Sequence, residues 1–186
     1  MTEEQFKEIK EVYLKSVTGF MQDETGMEPH ITVFAERLDD EESTPAILHM
    51  PIPSSLMNSE DGKDQLIEVI LPQVAKKIKK EFKPYGIAWT SEAWVRKTHK
   101  DNIDNDILLD NWKDIPISKE ILMINIESEF GNEMTIYEIK RNGMEVTEDG
   151  LKDTVELILD KELTDETGSM TGRFTGLYNK FIKTHG

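Results

Sequence analysis

The side chains best suited to chemistry lie on one predicted strand, the segment 85–96. Successive side chains of a strand point to opposite faces, so Glu92 and Arg96 share a face. A neighbouring hairpin carrying His30 and His49 would complete a cluster of carboxylate, guanidinium and imidazole groups. In such a cluster a partly buried carboxylate acts as a base, a histidine shuttles a proton and an arginine holds an anion. The candidate catalytic residues are therefore Glu92, Arg96, His30 and His49.

The same residues also have a structural interpretation. Glu92 and Arg96 are about 13 Å apart along a strand, so they do not touch, and each can pair with a neighbouring strand instead. Structural ion pairs also perturb pKa values. The two histidines and Glu92 lack the spacings that metal ligands favour, and the chain has no phosphate-binding loop, dinucleotide fingerprint or nucleophile elbow. We therefore expect no metal and no cofactor.

The elements that would position these residues are a strand hairpin and two amphipathic helices. Residues 29–37 alternate apolar and polar side chains, and residues 45–50 form the partner strand before two prolines. Residues 3–20 predict a first helix, with Thr2 and Gln5 as a capping box. Its apolar face is expected to contain Phe6, Ile9, Tyr13, Val17 and Phe20.

A long helix is predicted from about residue 60 to residue 83, either kinked near residues 68–71 or split into two shorter helices, because Pro72 removes an internal hydrogen bond. Residues 119–147 predict a meander of strands with turns at Gly131-Asn132 and at Asn142-Gly143. The remaining elements are less regular. An aspartate-rich segment spans 98–116, the period of residues 154–159 fits a strand or a short helix, and a helix ends the chain.

These elements predict one α+β domain over residues 1–186. Its largely antiparallel sheet has about five or six strands, with a long helix across one face and helices at both termini. The tryptophan-bearing strand 85–96 is expected in the sheet interior.

Composition and charge narrow the functional classes. The chain contains no cysteine, which excludes thiolate catalysis, disulfide chemistry and cysteine-bound zinc. A net charge of −15 opposes direct binding to nucleic acids and to anionic membranes, because both depend on clustered lysine and arginine. There is no apolar run of membrane-spanning length and no secretory signal pattern, so we expect a cytoplasmic protein.

One resemblance supplements these patterns. An apolar strand ends in Ser91-Glu92-Ala93-Trp94 after a helix, and a loop separates it from the apolar segment 119–123. This order resembles a loose group of short uncharacterised bacterial and phage proteins, over roughly residues 28–141. The resemblance implies no activity, although it would suit an origin in a phage or an environmental bacterium.

Three functions are compatible with the sequence. The leading hypothesis is a non-enzymatic acidic accessory protein, of a kind that phages encode, which binds a protein partner or forms a homodimer. The alternative is a small hydrolase or ligand-binding enzyme that uses the Glu92, Arg96 and histidine cluster. The third is a DNA-mimic inhibitor, which requires carboxylates in two rows at phosphate-like spacing.

Overall fold

A computed structural model describes residues 1–24, 27–39, 45–96, 117–147, 150–164 and 174–183. Six strands form one antiparallel sheet in the order β2-β1-β3-β4-β5-β6. The strands are β1 (His30–Arg37), β2 (Pro45–Pro51), β3 (Phe82–Arg96), β4 (Ile117–Ser128), β5 (Gly131–Thr147) and β6 (Gly150–Thr164). The predicted α+β class is confirmed, and β3, the tryptophan strand, lies in the sheet interior.

Helices cover both faces of this sheet. Helix α1 (Glu3–Glu24) packs on one face. The other face carries α2 (Ser54–Met57), α3 (Glu60–Gln65), a π-helical turn (Leu66–Ile70), α4 (Leu71–Ile78) and a C-terminal π-helical segment (Tyr178–Lys183). Near the irregularity expected at residues 68–71, the π-helical turn Leu66–Ile70 divides the helix into α3 and α4. The helix ends at Ile78, five residues earlier than predicted.

Helix α1 buries a row of side chains against the sheet. Phe6, Tyr13 and Val17 are buried as predicted, and the capping box forms, with the Thr2 amide donating to the Gln5 side chain at 2.7 Å. The prediction for Phe20 was wrong, because Phe20 is exposed and Met21 is fully buried in its place. Met21 lies four positions after Val17 and therefore continues the inward row.

On the opposite face, Trp89 anchors the core. Its indole stacks on the Phe174 ring, with 3.9 Å between the ring centres and an angle of 2° between the planes. The buried Glu127 carboxylate on β4 accepts hydrogen bonds from the backbone amides of Gly176 and Tyr178, at 2.6 and 2.9 Å. These contacts attach the C-terminal segment to the sheet.

Both predicted turns of the meander differ from the structure. The turn between β4 and β5 lies at residues 129–130, so Gly131 and Asn132 already belong to β5 and pair with β4. Asn142-Gly143 is not a hairpin turn: it lies within β5, where the pairing with β6 shifts register. Gly143 has a φ of +88°, a conformation that glycine tolerates, so it forms an irregularity inside one long hairpin. Residues 154–159 belong to strand β6, which resolves the strand or helix alternative. The aspartate-rich segment 98–116 lies outside the described residues.

No helix within the described ranges is long and apolar enough to cross a bilayer.

Candidate functional site

An open groove separates α1 from the edge strand β2, and we call it the α1–β2 groove. Its volume is about 570 Å³. The lining side chains are mostly apolar and come from α1, the following connection, β1 and β2: Val12, Tyr13, Ser16, Val17, Phe20, Met27, Glu28, His30, Ile47, His49 and Pro51. Three of them are strongly exposed for apolar side chains, namely Val12 (60%), Phe20 (51%) and Ile47 (43%).

The two candidate histidines meet in this groove. His30 on β1 and His49 on β2 have ring centres 4.3 Å apart, at an angle of 50°. The sheet brings them together because His30 lies opposite Pro51 while Thr32 lies opposite His49, so both imidazoles project from the face that α1 covers. The hairpin therefore places the two imidazoles in direct contact.

The tautomer of His30 follows from its hydrogen bonds. Its Nδ1 lies 3.1 Å from the Glu28 carbonyl oxygen, which only accepts, so Nδ1 carries the proton. In the neutral ring Nε2 is then an acceptor, and the Tyr13 hydroxyl donates to it at 3.2 Å. The Thr90 hydroxyl in turn donates to the Tyr13 oxygen at 2.7 Å. The result is a directional chain of hydrogen bonds from Thr90 through Tyr13 to His30.

Burial holds His30 in this neutral state. The side chain is only 3% exposed, and desolvation lowers its pKa from 6.5 to about 4. Nearby His49 adds to this effect, because a second imidazolium so close would repel the first. Desolvation also lowers the pKa of His49. Both imidazoles are therefore neutral at pH 7.

His49 differs from His30 in the hydrogen-bonding capacity of its ring nitrogens. Its Nδ1 lies 3.1 Å from the Thr32 hydroxyl. Its Nε2 has no hydrogen-bond partner among the described residues, whereas both nitrogens of His30 are occupied. His49 is thus the histidine with hydrogen-bonding capacity left for a bound molecule.

Glu92 lies on the same face of the sheet but in a separate cluster. Its carboxylate accepts from the Met27 backbone amide and lies 3.2 Å from the Arg141 guanidinium. Arg141 also binds Glu120 through two hydrogen bonds, at 2.8 and 3.0 Å. Desolvation raises the pKa of Glu92, whereas the hydrogen bonds from Arg141 lower the pKa of Glu120.

The four sequence candidates are therefore only partly brought together. His30 and His49 touch, but no hydrogen bond joins either of them to Glu92 in the described part of the chain. The backbone of Arg96 pairs with Ile117 at the end of β3, and the Arg96 side chain lies outside the described set. The arginine that binds Glu92 is Arg141, from β5.

Sequence reasoning missed Tyr13 and Arg141 as members of these clusters. Tyr13 was assigned to the apolar face of α1, which is correct for its ring, but a buried tyrosine hydroxyl usually has a partner. That general rule is the signal that could have identified it. Arg141 gave no comparable signal, since its contact with Glu92 joins strands that are two positions apart in the sheet.

A metal centre does not arise from these groups: within the described ranges, no three histidine or carboxylate side chains are arranged to hold a metal ion. Comparison of the chain with protein-family models, with curated proteins and with solved structures gave no match. The α1–β2 groove therefore has to be interpreted from its geometry alone.

Proposed function

We propose that this chain is a non-enzymatic protein-interaction protein of the cytoplasm, an accessory protein of the kind that phages encode. The observation that carries the proposal is the exposed apolar surface of the α1–β2 groove. Val12 and Phe20 lie on one row of α1, and Ile47 faces them from the edge strand. Exposed apolar side chains collected in one groove are typical of protein interaction sites.

The polar groups of the groove support binding over catalysis. The hydroxyl of Tyr13 and both ring nitrogens of His30 are used inside the protein. Groups held in this way fix the floor of the groove. A rigid floor below an apolar opening favours recognition of a partner, because less freedom is lost on binding.

Site-specific photocrosslinking in the cells that express the protein tests this proposal. A photoreactive amino acid is placed at Val12 or at Ile47, and a matched control at Val69, which is 47% exposed on the helical layer of the opposite face. We expect a protein adduct of defined mass from both groove positions and none from Val69. Equal labelling at all three positions, or none in the groove, would contradict the proposal.

A small ligand-binding or hydrolytic enzyme is the second candidate. The observation that favours it is the Nε2 of His49, which has no partner among the described residues and lies in a groove that Ser16 also lines. His49→Gln would then abolish hydrolysis of small ester or amide substrates, with Phe20→Ser as a control that changes only the apolar opening. Absence of turnover in the unmodified protein would remove this candidate.

A further inference from the structure

Among the described residues, β2 is an edge strand of the sheet, and the backbone groups that it does not use for pairing with β1 can be assigned. The Ile52 amide donates to the Pro29 carbonyl at 2.7 Å, which marks 52 and 29 as a hydrogen-bonded pair. Because such pairs alternate along an antiparallel ladder, Met50, Leu48 and Ala46 bond to β1. Ile47 and His49 therefore direct their amide and carbonyl groups to the open edge.

The prolines of β2 agree with this assignment. Pro45 and Pro51 occupy the outward-directed positions, where the missing N–H removes no bond to β1. They also limit the open edge, since between them only Ile47 and His49 offer outward amides. An added strand is thereby confined to a short and defined register.

The side chains at these two positions are the ones that line the α1–β2 groove. In an antiparallel pair, residues that exchange hydrogen bonds project their side chains to the same face. A strand bonded to Ile47 and His49 would thus place its alternate side chains beside theirs, below Val12 and Phe20 of α1. The open edge and the exposed apolar row form a single surface.

The net charge of the chain indicates which kind of segment pairs with the open edge of β2. The chain carries a net charge of −15, which acts on an approaching segment at long range and does not depend on the face to which each side chain projects. Two copies of so acidic a chain repel each other, whereas a basic segment is attracted. The edge should therefore favour a basic partner over self-pairing.

We propose that β2 accepts an extended segment of a partner protein as an antiparallel seventh strand, with apolar side chains in the α1–β2 groove and basic side chains at the alternate positions, which project to the opposite face of the sheet. This proposal rests on the protein-interaction function and specifies how the partner is recognised. Strand addition of this kind takes affinity from main-chain hydrogen bonds and specificity from alternate side chains.

A synthetic nonapeptide that alternates lysine with valine or phenylalanine is the probe, with binding measured by fluorescence anisotropy. Residues whose side chains enter the groove also direct their N–H groups to β2. N-methylation of the apolar residues should therefore weaken binding at least tenfold, and N-methylation of the lysines should change it less than twofold. Equal effects of the two methylation patterns would overturn strand addition.

Protein variants provide the matching test. Ile47→Pro removes an outward N–H and no bond to β1, so the protein should remain folded, as circular dichroism and thermal unfolding would show, but lose peptide binding at least tenfold. Ile47→Val keeps the N–H and should bind within about threefold of the unmodified protein. Unchanged binding by a folded Ile47→Pro variant would contradict the proposal.

The outcomes separate this inference from the proposed function. If photocrosslinking still captures a partner in the groove while the peptide shows no dependence on N-methylation, the interaction function stands and strand addition is wrong. If neither experiment locates binding in the groove, both are wrong. A concentration-dependent dimer that Ile47→Pro abolishes would replace the basic partner with a second copy and overturn the choice of occupant.

Discussion

Acidification should destabilise the protein through His30. Its pKa is about 4 in the folded chain against 6.5 ordinarily, so the unfolded chain takes up a proton on this imidazole first. The stabilisation from a neutral His30 is complete above pH 6.5, decreases as the pH falls toward 4, and levels off below 4. A gap of about 2.5 between the pKa values, at roughly 1.4 kcal/mol per pKa unit, corresponds to about 3.5 kcal/mol in full. About 3 kcal/mol of this is lost between pH 7 and pH 4, because the folded His30 is only half protonated at its own pKa.

Urea unfolding of the unmodified protein and of His30→Gln, measured at several values between pH 7 and pH 4, tests this figure. Carboxylates titrate in both proteins, so the difference between the two pH profiles isolates His30. Between pH 7 and pH 4, the free energy of unfolding of His30→Gln should fall by about 3 kcal/mol less than that of the unmodified protein. His49→Gln is the control with a smaller effect, because His49 is less buried.

Nitrogen chemical shifts of the imidazole provide a direct check. His30 should remain neutral at pH 5.5 with the proton on Nδ1, as its bond to the Glu28 carbonyl requires. Parallel pH profiles for the unmodified protein and His30→Gln, or a His30 that titrates near pH 6.5, would refute the linkage between burial and acid sensitivity.

Two further substitutions test the packing on the α1 face, each with a matched control and with thermal or urea unfolding as the assay. Tyr13→Phe removes the donor to His30 and should cost about 1–3 kcal/mol. Tyr137→Phe, whose hydroxyl has no partner among the described residues, should stay within about 0.5 kcal/mol. At Gly86 an added Cβ would lie 2.9 Å from a phenylalanine ring of α1 and 3.1 Å from a backbone oxygen, so Gly86→Ala should cost about 1–3 kcal/mol. Gly19→Ala, with nothing within 4 Å, should stabilise α1 by about 0.5–1 kcal/mol. Equal costs within either pair would contradict the contact assigned to it.

Local patterns in the sequence predicted most of the fold. The alternation in residues 29–37 and the prolines after residue 50 were sufficient for the β1–β2 hairpin, because period and termination are both encoded locally. The capping box of α1 is likewise a local signal. The misassignment of Phe20 has a simple cause, since steps of three and of four both fit a helical period and only the position of the sheet decides between them.

The site was less predictable because its contacts join distant parts of the chain. The bond between Tyr13 and Thr90 spans 77 residues, and the contact of Arg141 with Glu92 spans 49. Neither can be inferred from spacing along one element. The catalytic use of Glu92 and His30, the homodimer and the DNA-mimic alternative remain predictions, because the geometry of the described residues does not test them.

The carboxylate of Glu127 has a consequence for the order in which the chain folds. The six-residue segment Tyr178–Lys183 is too short to be a stable helix by itself. The Glu127 side chain that binds the amides of Gly176 and Tyr178 lies 49 and 51 residues earlier, on β4. We therefore expect the segment to become ordered after the central strands have paired, and to be the first part to open. Each opening separates Phe174 from Trp89 and changes the surroundings of the indole. The fluorescence of Trp89 should therefore report the rate at which this last segment docks and opens.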